Sequence, residues 1–283
     1  MLPAVNRLIA ATACCALLAG CAAQMFLRVD KRRIDERVLF FLGGGGNSLV
    51  LTHDDQAFIT DVKFAGMARQ LRYEVETELA KSVRRLLLTH SHPDHAGGLN
   101  LYPNVGAVIV HPATRKRLEA EGTHAPFVEV EHSIELLLGG ETVQIMYLGA
   151  GHTDGDLVAL LVSRKILVAG DLLVNGYEPR IDEQAGGNAL AFRSTLDRLL
   201  ALDFTQVLPG HGDVMTRAQV EHVRDYLAAV EAAVRQSRES GKTADDAVRE
   251  IHLTGFDDLQ AMPFGGSSRE KTIRQMYTAL EHP

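Results

Sequence analysis

The heptapeptide Thr89-His90-Ser91-His92-Pro93-Asp94-His95 follows directly on Arg85–Leu88, a short run that reads as a buried strand. Three imidazoles and a carboxylate at that point constrain the fold more than any other feature of the chain. His90 and His92 are two apart, so on extended backbone they point the same way. Pro93 then forces a bend, which sends Asp94 and His95 in a different direction. One loop can therefore aim two imidazoles at one cation, and a carboxylate with an imidazole at a second. Imidazole and oxygen donors without thiolate suit zinc, iron or manganese rather than a soft-metal site.

Composition supports the absence of thiolate. The chain has twelve His but only three Cys, at positions 14, 15 and 21. A disulfide scaffold, a Cys-ligated zinc finger and a Cys nucleophile are thereby excluded from the body of the protein. A formal net charge of −7 argues against a broad nucleic-acid surface, and the absence of Trp argues against a base-stacking or sugar-stacking protein. At 283 residues and 46% hydrophobic content the chain can bury a large core.

Three more segments share one anatomy, in which a strand end and glycines are followed by a metal-ligand side chain. Leu148–Thr153 places His152 in a loop between strands, Val168–Asp171 ends a strand on Asp171, and Leu208–Gly212 places His211 in a turn. Glycines beside each let backbone pass close to a crowded centre. His53, His111, His124, His132, His222, His252 and His282 have no such context and are expected at the surface or as helix caps.

Periodicity predicts alternating strands and helices. Val38–Leu42, Leu49–Thr52, Ala57–Val62, Arg85–Leu88 and Val105–Val110 read as strands, with Gly43–Gly46 as a flexible loop. Hairpins are expected around Gly139-Gly140 and Ser163–Lys165, and a further strand at Gln206–Leu208. Amphipathic helices are expected at Lys63–Ser82, Pro112–Glu121, Asn188–Leu202, Arg217–Ser240, Ala244–His252 and Ser267–Glu281. No low-complexity linker intervenes, so residues 38–283 read as one α/β domain with a helical C-terminal appendage from about residue 217.

Taken in order, HSHPDH, GHTDGD, AGD and PGHG resemble the metallo-β-lactamase superfamily of hydrolases, over roughly Val38 to Leu227. The resemblance implies a four-layer αββα sandwich with a dinuclear site at one edge of its two sheets. By motif, His90, His92 and His152 would bind the first metal, and Asp94, His95 and His211 the second, with Asp171 bridging both. Asp61 resembles the family's early structural Asp, which supports the metal-binding loop without ligating. Two divalent ions, zinc first among them, are the implied cofactors. Asp94 is the expected catalytic residue, orienting the nucleophile and passing a proton to the leaving group.

The implied reaction is hydrolysis of an ester, thioester, lactone or amide carbonyl in a small molecule. The β-lactamases with a Cys ligand are excluded by the missing thiol, and the all-His type typically lacks the bridging Asp that Asp171 supplies. The set resembles thioesterases of the glyoxalase II kind, lactonases and related hydrolases. Two competing readings are a mononuclear iron oxygenase resembling persulfide dioxygenases, and a lipid-anchored binding protein without turnover. The first uses only part of the ligand set. The second leaves buried carboxylates without a purpose that offsets their cost. The loop Leu173–Gly187, with Asn175, Tyr177 and Arg180, and the C-terminal loop around Phe256 and Phe264 are expected either to shape the substrate pocket or to be ordinary connecting loops.

The N-terminus reads as an address. Arg7 precedes an apolar run, Leu8–Gly20, that is too short to span a bilayer and reads as a signal-peptide core. Its end, Leu17-Leu18-Ala19-Gly20-Cys21, resembles the lipobox of bacterial lipoproteins. Residues 1–20 are thus expected to be a lipoprotein signal, Cys21 the lipidated residue, and residues 21–37 a solvated tether. Ala22 and Ala23 resemble outer-membrane sorting, which places the body in the periplasm on a membrane anchor.

Overall fold

The computed structural model describes residues 28–262 and 266–281. The expected signal, Cys21, Phe264 and His282 lie outside the described residues.

Two mixed sheets form the centre. The first holds β1 (Val29–Arg33), β2 (Val38–Gly43), β3 (Ser48–His53), β4 (Gln56–Thr60), β5 (Ser82–Leu87), β6 (Ala107–Val110) and β7 (Phe127–Glu129), side by side in that order. Pairing is antiparallel from β1 to β4 and parallel from β4 to β7. The second holds β8 (Ser133–Leu138), β9 (Glu141–Tyr147), β10 (Leu157–Leu161), β11 (Ile166–Val174), β12 (Gln206–His211) and β13 (Met215–Thr216), in the order β13-β12-β11-β10-β9-β8.

Both sheets are covered on both faces, which explains why their strands read as unbroken apolar runs rather than as alternations. In β2, Val38, Phe40 and Leu42 point between the sheets, while Leu39 and Phe41 point outward. In β10, Leu157, Ala159 and Leu161 point inward, while Val158 and Leu160 point outward. The outer face of the first sheet packs with residues of α1 (Ala65–Tyr73), α2 (Pro93–Ala96) and α3 (Pro112–Ala120). The outer face of the second packs with α4 (Ala189–Leu200), α5 (Arg217–Glu239), α6 (Ala244–Glu250) and α7 (Arg269–Glu281). Three apolar interfaces thus separate four layers, and the sandwich is helix, sheet, sheet, helix.

The helices obey their sequence signals. α5 opens on a capping box between Thr216 and Gln219 and buries Val220, Val223, Leu227, Val230 and Val234 at spacings of three and four. No helix among the described residues is long and apolar enough to cross a membrane.

Several elements differ from the expectation, among them the short helix Pro93–Ala96 and the short strand Met215–Thr216, which were not expected. Residues 29–33, assigned to the tether, form β1 in full register with β2; four of its five residues are exposed and charged, which masks the strand in the sequence. The helix expected over Lys63–Ser82 ends at Tyr73 and passes into a π turn, Glu74–Glu78, before β5 begins at Ser82. Leu71 and Val75 are buried as expected, so the periodicity gives the right face and misses the change of pitch. β7 is short and half-exposed and carries no sequence signal. β11 runs on to Val174 through register shifts around Gly170, so Asp171 lies within a strand rather than at its end.

Phe58 lies fully buried in the inter-sheet cluster. Phe58→Ala is expected to lower unfolding free energy by about 3–5 kcal/mol, read from urea denaturation, because the two sheets cannot close over the cavity.

Candidate metal centre

The loop ends of both sheets meet at one edge, and the seven predicted ligands come together there. β4 delivers Asp61, whose φ is +52°, and β5 delivers the histidine loop. The Asp61 carboxylate accepts hydrogen bonds from Thr89 N–H (2.8 Å) and the Thr89 hydroxyl (2.8 Å), and pairs with His95 Nδ1 (2.8 Å). It supports the loop and stands outside both groups of candidate donors, on the outer nitrogen of His95.

Proton positions in the first group follow from these outer partners. Thr89 gives its hydroxyl proton to Asp61, so its oxygen accepts from His90 Nδ1 (3.0 Å), leaving a lone pair on His90 Nε2. His152 Nδ1 donates to the Arg180 carbonyl (2.9 Å), leaving a lone pair on His152 Nε2. His92 Nε2 donates to Asp182 (2.8 Å), leaving a lone pair on His92 Nδ1. Those three inward atoms lie 3.1 Å (His90 to His92) and 2.9 Å (His152 to His92) apart. Lone pairs at that separation repel one another unless a cation lies among them. Asp171 completes the group, with all four donor atoms within 4.8 Å of one another.

The three imidazoles of this first group are held neutral. Burial pushes His90 well below its ordinary range, assisted by His95 and His152. Burial also lowers His92, and takes His152 down to about 4 against the opposing pull of Asp171. Neutral imidazole is the form that binds metal.

Asp94, His95 and His211 form a second group, again within 4.8 Å of one another. Asp94 Oδ2 lies 3.0 Å from His211 Nε2 and 3.7 Å from His95 Nε2. Burial alone would raise Asp94, but His95 and His211 outweigh it and bring the carboxyl down to about 2. Burial likewise works against charge on His95, and the carboxylates of Asp171, Asp61 and Asp94 overcome it and raise the ring well above its usual range.

Asp171 faces both groups. Its Oδ1 lies 3.1 Å from His95 Nε2 and 3.4 Å from His211 Nε2, while its Oδ2 lies 3.7 Å from His152 Nε2. Neither buried oxygen has a hydrogen bond of acceptable geometry. The adjacent histidines hold this carboxyl well below the usual range despite its burial. A buried carboxylate with imidazole nitrogens converging on both of its oxygens fits a cation on each side of Asp171.

Backbone crowds this edge. A Cβ at Gly46 would lie 2.3 Å from the His95 ring, and one at Gly210 would lie 1.9 Å from Asp171 Oδ1. Gly43–Gly46, expected as a flexible loop, is instead a packed turn, because Lys63 fastens it. Lys63 is fully buried, and its ammonium donates to the carbonyls of Phe41 (2.9 Å), Gly43 (2.7 Å) and Gly46 (2.8 Å). Gly46 N–H in turn donates to the Asp94 carbonyl (2.8 Å).

Of the remaining histidines, His111 caps α3 through Ala113 N–H, and His222 pairs with Asp258. Of the residues expected near the pocket, Arg180 meets His152 through its carbonyl, whereas Asn175 donates to the Asp213 carbonyl and Tyr177 bridges to Gln260. Sequence reasoning misses Lys63 and Asp182. Lys63 carries no motif, and Asp182 sits ninety residues from the histidine it meets. Only the fold joins them.

The family model for the metallo-β-lactamase superfamily matches residues 42–211. The chain belongs to the metallo-β-lactamase superfamily. The metallo-β-lactamase type 2 of Bacillus cereus is 25% identical over 185 residues, covering 64% of this chain and 72% of the relative. The α subunit of 2,4-dinitroanisole O-demethylase of a Nocardioides species is 22% identical over 217 residues, covering 74% and 66%. Among solved structures, a metallo-β-lactamase from Pontibacter korlensis superposes with a TM-score of 0.64 at 20% identity, covering 71% of this chain and 99% of its own. This superfamily member therefore has the expected αββα fold, a metal-binding edge and the general character of a metal-dependent hydrolase.

Gly46→Ala is expected to cost about 1–3 kcal/mol of stability in a urea titration, since His95 is walled in and must move. An unchanged urea midpoint would show that the ring has room to yield.

Proposed function

We propose that this chain is a dinuclear hydrolase that uses two zinc ions to cleave an ester, thioester, lactone or amide carbonyl of a small molecule. In this reading His90, His92 and His152 hold the first ion, Asp94, His95 and His211 the second, and Asp171 bridges. The observation that carries it is the disposition of Asp171, with one oxygen toward His95 and His211 and the other toward His152.

Two divalent cations so held would supply a hydroxide nucleophile at neutral pH and polarise the substrate oxygen. The rest is the work of side chains. Asp94 is the most solvent-accessible of the second group, at 9%. It orients the attacking water and carries its proton to the leaving group. The outer partners Asp61 (through Thr89) and Arg180 keep His90 and His152 in the tautomer whose lone pair points inward. His90, His95 and His152 are sealed from water, so substrate reaches the centre from the side of His92 and Asp94.

The body of the chain holds no Cys to serve as a thiolate ligand, and Asp171 supplies a carboxylate between the two groups, which favours ester, lactone and thioester substrates over β-lactams. In the same reading Cys21, outside the described residues, carries the lipid anchor, and the hydrolase acts on small molecules in the periplasm.

The test is metal analysis of the purified protein alongside a panel of ester, thioester, lactone and β-lactam substrates. About two zinc per chain with carbonyl hydrolysis is the expected result, and one iron with oxygen uptake would overturn it. Asp94→Asn should lower kcat about a hundred- to ten-thousand-fold, the range for a positioned acid or base. His92→Ala should lose the first ion while retaining the second.

A further inference from the structure

The first group of histidines is completed from a single short segment, Arg180–Asp182. Arg180 supplies the carbonyl that accepts His152 Nδ1–H (2.9 Å), and Asp182 Oδ2 accepts His92 Nε2–H (2.8 Å). Asp182 N–H also donates to the His152 carbonyl (2.9 Å), so this segment is bonded to both histidines at once. The other carboxylate oxygen of Asp182 caps Gln184 N–H (3.1 Å) and Ala185 N–H (3.2 Å), which fixes the side-chain rotamer.

Between Arg180 and Asp182 lies Ile181, fully buried, whose carbonyl accepts from the Gln275 side chain of α7 (2.9 Å). Gln275 is itself buried at 6% exposure. The same loop is tied to the C-terminal region at three further points. Glu178 N–H donates to the Gln260 carbonyl (2.9 Å), the Ser267 hydroxyl donates to the Glu178 carbonyl (2.7 Å), and Arg269 pairs with the Glu178 carboxylate (3.3 Å). The superfamily match ends at His211, so every one of these ties comes from chain beyond it.

We propose that Arg180–Asp182 is the positioning element for the first metal, with Asp182 the positioning residue of His92, and that the C-terminal helix α7 holds this element in place through Gln275. The inference rests on the metal-site reading above and adds a second task to the helical appendage. A carboxylate on the outer nitrogen of a ligating imidazole fixes its tautomer and ring orientation and increases its basicity, which is worth about 10–100-fold in metal affinity. An Asn at position 182 cannot do this. Its amide either turns N–H groups toward His92 Nε2–H or gives up the caps on Gln184 and Ala185. Removing the Gln275 amide leaves the Ile181 carbonyl buried without a donor and frees the segment to shift.

The test is stepwise zinc dissociation constants by chelator competition on the full chain, for wild type, Asp182→Asn and Gln275→Leu. The expected result is about 10–100-fold weaker binding at one of two sites in Asp182→Asn, the other site retained. Gln275→Leu should weaken the same site in the same direction by a smaller factor. In the proton NMR spectrum of the zinc-loaded protein, the His92 Nε2–H resonance should move upfield in Asp182→Asn. Unchanged constants in both variants, or equal weakening at both sites, would overturn the proposal while leaving the dinuclear reading intact. A wild-type chain that binds no zinc would overturn the two together. Should Asp182→Asn not fold, Gln275→Leu decides alone: a selectively weakened site supports the assignment and unchanged binding defeats it.

Discussion

One buried carboxylate orients a histidine on each side of the centre. Asp61 takes the Thr89 hydroxyl proton and pairs with His95 Nδ1. Through Thr89 it turns the Nε2 lone pair of His90 toward the first group. Through His95 it leaves Nε2 facing Asp94 and Asp171. A side chain that touches no reacting group thus dictates the tautomers on both sides of the centre. Its own backbone lies in the left-handed region, a cost that persists only where the surroundings hold it.

The sandwich supplies the geometry that Asp61 exploits. Because each sheet is covered on both faces, its strands can vary little, and chemistry is left to the loops at the open edge. Parallel pairing of β4 with β5, and of β11 with β12, brings the ends of paired strands to the same side. Asp61 and the histidine loop come from the first pair, Asp171 and His211 from the second. His152 enters from the connection between β9 and β10. Residues more than a hundred positions apart therefore meet within a few ångströms.

Much of this centre is legible in the amino-acid sequence. The spacing of His90, His92, Asp94 and His95 implies two directions of approach, and glycine-flanked strand ends mark His152, Asp171 and His211. Those signals are local: a period of two, a proline bend, a glycine next to a polar residue. What escapes is non-local or masked. β1 is a strand by virtue of its partner, and its charged side chains carry no apolar pattern. Gly43–Gly46 reads as loose because glycine is flexible in isolation, and nothing in its neighbourhood announces a lysine some twenty residues away that fastens it. Asp182 is an ordinary loop acid until the fold sets it against His92.

The glycines pressed against His95 and Asp171 have a consequence for selectivity. A frame with free volume behind its donors can expand or contract around whatever ion arrives, and affinity then follows the general ranking of divalent metals. Here the backbone at Gly46 lies against the His95 imidazole and that at Gly210 against the Asp171 carboxylate, with no room for a side chain between. A frame held this closely would favour ions whose radius and preferred angles match where its donors already stand.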